Sequence, residues 1–111
     1  MALTRDFKET IQARVQRDAA FRTELLREGI ESLLSGELDV AKTVLRDYIN
    51  ATVGFGDLAA ATRHTSKSLM RMLGPNGNPN ARNLLQIVAY LQKRAGVRFQ
   101  LRPQSRKRRA A

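Results

Sequence analysis

Apolar residues return at helical spacing along most of the chain. Phe7, Ile11 and Val15 fall four apart, with Lys8, Glu9, Gln12, Arg14 and Gln16 between them. That pattern predicts an amphipathic helix with a narrow apolar stripe, begun by Thr4 as its cap. Asp18 is set to cap a second helix, in which Phe21, Leu25, Leu26, Ile30, Leu33 and Leu34 make a broad apolar face. Gly36 stands in the C′ position that glycine favours, while Gly29 inside the helix costs about 1 kcal/mol against alanine. A third helix is expected from Leu38 to Thr52, burying Leu38, Ala41, Leu45, Tyr48 and Ile49, with Gly54 to close it. Residues 1–53 therefore read as an N-terminal helical extension that supports the rest of the chain or meets another one.

The pattern then changes character. Asp57 to Leu73, DLAAATRHTSKSLMRML, predicts two short helices joined by a tight turn. Leu58 and the small Ala59 allow a close crossing, and Leu69, Met72 and Leu73 return apolar side chains to the same core. Phe55 can staple the entry, Asp57 suits the first turn of the first helix, and Thr65 is placed to cap the second, Ser66 to Leu73. This leaves Ser66, Lys67, Met70 and Arg71 facing outward, side chains suited to phosphates and base edges. The spacing also fits a plain helical hairpin. After Leu73 the run GPNGNPN is turn chemistry, and Asn80 can cap a helix from Ala81 to Arg94 with Leu84, Leu85, Val88 and Leu91 facing inward. Gly96 ends that helix. Val97, Phe99 and Leu101 then alternate with Arg98, Gln100 and Arg102 as in a short strand, which would pair with its equivalent in a dimer or pack on a helix. Residues 54–101 make one functional region, and residues 102–111 a basic disordered tail carrying Arg106, Lys107, Arg108 and Arg109. The fold class expected is all-α: about five helices around a helix-turn-helix, an N-terminal extension and a short C-terminal strand.

Charge separates the two readings of the hairpin. The net charge is +10 over 111 residues. Residues 1–47 hold 8 Lys/Arg and 9 Asp/Glu, a net of −1, whereas residues 48–111 hold 12 Lys/Arg and one acid, Asp57, a net of +11. So uneven a distribution, with the basic half holding the hairpin, suggests a polyanionic partner whose counterions are released on contact. The length suits one domain with one modest core. No cysteine is present, so disulfides and thiolate chemistry are excluded. No apolar run reaches the roughly 20 residues a membrane span needs, and no apolar run follows Arg5 and Asp6, so neither a membrane location nor a signal peptide is expected and a cytoplasmic protein is. The one histidine, His64, lies in the turn with no paired acids, and GPNGNP lacks the lysine of a phosphate loop. The chain is therefore not expected to be an enzyme, to hold a metal or to need a cofactor.

Leu58 through Leu101 resembles small bacterial regulators of the Xre/lambda-repressor-like, addiction-module antidote kind. The resemblance rests on the pair Leu58-Ala59, on Thr65, on the pair Ser68-Leu69 and on the loop Asn76-Gly77-Asn78-Pro79. It implies a lambda-repressor-like helix-turn-helix that binds double-stranded DNA through its second helix, dimerisation, autoregulation, and a toxin protein as a further partner. The turn position such relatives fill with glycine is Arg63 here, at a cost of about 1 kcal/mol in a left-handed conformation. Ser66 and Lys67 also depart from the relatives' usual Arg and Glu, so no operator preference carries over. Lys67 and Arg71, with Ser66, Ser68 and Met70, are the expected contacts on the reading helix, and Arg63, Thr65 and Arg82 the expected phosphate contacts. Three functions follow. The first is a dimeric sequence-specific repressor. The second is an antitoxin that covers a toxin with its N-terminal helices, leaving an apolar patch exposed on residues 7–34 of the free protein. The third, a non-specific nucleoid or RNA binder, is disfavoured by scattered aromatics already committed to packing.

Overall fold

The computed structural model describes residues 3–106, with side chains from Glu9 onward. Six α-helices account for most of it: α1 (Leu3–Arg17), α2 (Ala19–Leu34), α3 (Leu38–Ala51), α4 (Gly54–Thr62), α5 (Ser66–Met72) and α6 (Ala81–Ala95). No strand occurs among the described residues. The architecture is all-α, as the periodicity predicts, with six helices in place of about five.

Local chemistry sets most boundaries. Asp18 caps α2 by accepting from the Phe21 N–H at 3.0 Å, a bond that holds its carboxyl below the usual carboxylate range, with Arg14 adding to the effect. Gly36 closes α2 at φ +82°: its N–H reaches the Leu33 carbonyl and the Glu37 N–H reaches that of Ser32, the paired bonds of a Schellman end. Asn80 caps α6 by accepting from the Asn83 N–H at 2.8 Å. Thr4 lies within α1 and so does not cap it. The side chain of Phe7 and residues 107–111 of the tail fall outside the described set; Arg106 is exposed.

α2 and α3 pack along each other, and α1 lies against both. Gly29 explains itself here. A Cβ at this buried position would come within 3.0 Å of Leu45 Cδ2, so the glycine lets α2 approach α3 closely. One buried cluster joins the early and late helices: Leu26, Leu45, Tyr48 and Ile49 meet Phe55, Leu58, Ala59, Leu69, Leu73, Ile87 and Leu91. Burial holds the Tyr48 phenol above its ordinary pKa.

Four further expectations change. Gly54 does not close α3, which ends at Ala51 with Thr52 as its C-cap; it is the first residue of α4. Leu34 is 62% exposed, since α2 ends there and Leu33 takes the inward position. On α6 the inward stripe runs Leu84, Ile87, Val88 and Leu91; Leu85, one residue off that line, is 67% exposed. Residues 97–101 are irregular. The turn at Gly96 folds them back, so that the Phe99 N–H donates to Gln92 Oε1 at 2.9 Å, and Val97 and Phe99 pack on the core while Leu101 stays outside. Alternation marks one covered side of this segment, and the cover is a helix.

Candidate nucleic-acid interface

α4 and α5 meet through Leu58 and Ala59 on one side and Leu69 and Leu73 on the other, all four buried. The turn between them pivots on Arg63, at φ 60° and ψ 38°, the conformation that glycine adopts most cheaply. The His64 N–H closes the end of α4 by donating to the Ala59 carbonyl at 3.0 Å. Thr65 is extended, and its hydroxyl accepts from the Ser68 N–H at 3.0 Å, so α5 starts at Ser66 as the cap chemistry requires. With two of its seven positions and the adjoining Leu73 directed inward or partly so, α5 presents Lys67, Met70 and Arg71 to solvent, with Ser66 and Ser68 half-buried at the margins.

The expected contact residues are thus brought together as follows. Ser66, Lys67, Ser68, Met70 and Arg71 share the short helix α5. Arg63 and Thr65 are exposed in the turn that feeds it. Arg82 is exposed in the first turn of α6, directly after the loop leaving α5. No acid lies on α5, and Asp57 sits at the opposite end of α4, 3.9 Å from Arg94. Among the described residues Arg63, Lys67, Arg71 and Arg82 have no ion-pair partner. Their charges are open to solvent and to any anion that approaches this side. His64 is half-buried, and its Nε2 lies 3.4 Å from Gln86 Oε1. Among the described residues no group of three or more His, Cys, Asp or Glu could hold a metal ion, and no helix is long and apolar enough to cross a membrane.

Sequence reasoning missed the support behind α5. Lys42 of α3 is 3% exposed, and its ammonium donates to the Gly77 carbonyl at 2.8 Å and the Pro75 carbonyl at 3.4 Å. One helical turn on, Arg46 donates to the Leu73 carbonyl at 3.0 Å. A lysine on the apolar stripe between Ala41 and Leu45 was the available signal. The loop itself is drawn tightly under α5: a Cβ on Gly77 would overlap the Arg71 and Met72 carbonyl oxygens. Pro79 is buried just before the cap of α6. No family model matches the chain, and no curated protein or solved structure shows significant similarity to it.

Proposed function

We propose that this chain is a sequence-specific DNA-binding transcriptional regulator, a repressor that acts as a dimer through α4 and α5. The observation that carries the reading is the outward side of α5. A capped helix anchored by buried Leu69 and Leu73 directs Lys67, Met70 and Arg71 outward, beside Arg63 in the turn, with no acid on the helix. A short basic helix fixed on a second helix is what a major groove admits, with Lys67 and Arg71 offering donors to base edges and phosphates. Ser66 and Ser68 add hydroxyls at the margin, and Arg63, Thr65 and Arg82 hold the backbone. Two copies would present their α5 helices to grooves about 34 Å apart.

The antitoxin reading needs an apolar surface on the N-terminal helices. Among the described residues from 9 to 34, Leu34 is the single large hydrophobic side chain that is mainly exposed. DNA is therefore the partner this reading carries, and a toxin is secondary to it. The test is a selection of preferred duplexes from a random pool, followed by competition binding of the preferred duplex against random duplex at two salt concentrations. A regulator retains a large preference at the higher salt. Binding that collapses with salt and shows no preference reduces the chain to a basic surface.

A further inference from the structure

We infer that Lys42 and Arg46 are positioning residues for sequence reading: a cationic clamp from α3, buried at Lys42 and half-buried at Arg46, that fixes the angle of α5 without touching DNA. The inference rests on the proposal that α5 reads DNA. At seven residues α5 is too short to hold a direction through its own hydrogen bonds. Its N-terminal end is fixed by Thr65. Its C-terminal end leaves carbonyls without partners in the helix, where the helix dipole is also negative. Leu73 at the cap and Pro75 and Gly77 in the loop that follows each accept, through their carbonyls, from one of two cations a single turn apart on α3. The ammonium of Lys42 has three donors: two go to the Pro75 and Gly77 carbonyls, and the Asp39 carboxylate forms an ion pair with it at 3.5 Å. No polar side-chain atom is left buried and unpartnered among the described residues.

Burial decides what this lysine does. A cation that meets phosphate needs solvent access, and Lys42 at 3% exposure has almost none. A buried ammonium is retained only against strong acceptors, and the acceptors here belong to the loop that ends the reading helix. Because Gly77 already packs against the Arg71 and Met72 carbonyls, movement of the loop is passed directly to the last turn of α5, where Arg71 sits. The N-terminal helices thereby set the pitch of α5, and so the register of Lys67 and Arg71 in a groove.

The test uses the full chain with Lys42→Met, which keeps length and removes the donors, and the half-buried Arg46→Met as a second variant. Each is first shown by circular dichroism and melting to be folded at the assay temperature. Binding is then measured on a duplex selected by the wild type and on random duplex, at two salt concentrations. The expected result is a loss of preference of roughly tenfold, with binding to random duplex and its salt dependence unchanged within about twofold. Arg46→Lys, which keeps a cation at the Leu73 carbonyl, should recover most of the preference. Wild-type preference in both folded methionine variants overturns the clamp, as does an equal loss on both duplexes. If the wild type itself selects no sequence, the DNA-reading proposal has failed, and amide exchange then decides the clamp alone. Faster exchange in Lys42→Met confined to α5 and residues 74–80 supports it; unchanged protection there overturns it.

Discussion

The two halves of the molecule use positive charge in opposite ways. In α1 to α3 the cations with described side chains are occupied, apart from Arg17 at the end of α1. Arg27 is held by Glu24 and Glu31, Arg14 meets Asp18, Arg22 donates to the Val15 carbonyl, and Lys42 and Arg46 grip the loop after α5. In the turn, on α5 and at the start of α6, Arg63, Lys67, Arg71 and Arg82 have no acid to meet among the described residues. A cation that satisfies acids or carbonyls of its own chain contributes to shape, whereas one left open contributes a field. The net charge of +10 hides this division, and the placement of the acids reveals it.

The sharpest break of that comparison lies in the core beneath the open charges. Leu69→Ala removes a fully buried side chain shared by α5 and the core cluster and should destabilise the protein by about 2–5 kcal/mol. Leu85→Ala should stay within about 0.5 kcal/mol because that side chain faces solvent. Denaturant melts of the two variants measure the difference. Next in size, Arg71→Ala should weaken binding to a selected duplex by about 1–3 kcal/mol if Arg71 reads a base, with a smaller loss on random duplex. Equal losses on the two would make it a phosphate contact. Arg63→Gly should act in two directions. It relieves a left-handed arginine and so raises stability by about 1 kcal/mol, or roughly 4–8 °C in melting temperature. It also weakens DNA binding by removing an open charge.

The smallest effect lies at the α1–α2 junction. Asp18 has a lowered pKa in the folded chain, chiefly because the Phe21 N–H bonds to it. Its contribution is present above the unfolded carboxyl value of about 4 and is lost as pH falls through the lower folded value. Helicity of the wild type followed from pH 5 to pH 2 should therefore show a decrease at acid pH that is reduced in Asp18→Ala.

Local chemistry was legible and tertiary chemistry was not. Asp18, Thr65 and Asn80 identify themselves as caps because the bond each accepts comes from a residue three positions away. The crossing of α4 and α5 follows from Leu58, Ala59 and Leu69 for the same reason: short helices leave few registers. On α6 two adjacent leucines competed for one stripe, and only the packing of Ile87 beside Leu91 decides for Leu84 over Leu85. The alternation of Val97, Phe99 and Leu101 reports a covered side without naming the cover. Lys42 stands out on the apolar stripe of α3, but its role was not legible, because its acceptors lie 33 and 35 residues further along the chain and nothing local distinguishes a buried lysine from a snorkelling one. The open face of α5 was legible as a set of residues; the support that aims it was not.

The central claim is that open cations on α5 read DNA while paired cations on the N-terminal helices serve the fold. It is tested most directly by removing equal charge from each region. Lys67→Ala with Arg71→Ala is compared with Arg14→Ala with Arg27→Ala, on a duplex selected by the wild type and on random duplex, across a salt series. The α5 variant is expected to lose preference and to flatten the salt dependence by about one to two units of slope, while the N-terminal variant keeps both near wild type. Equal losses in the two variants would contradict the claim and leave net charge alone as the source of binding.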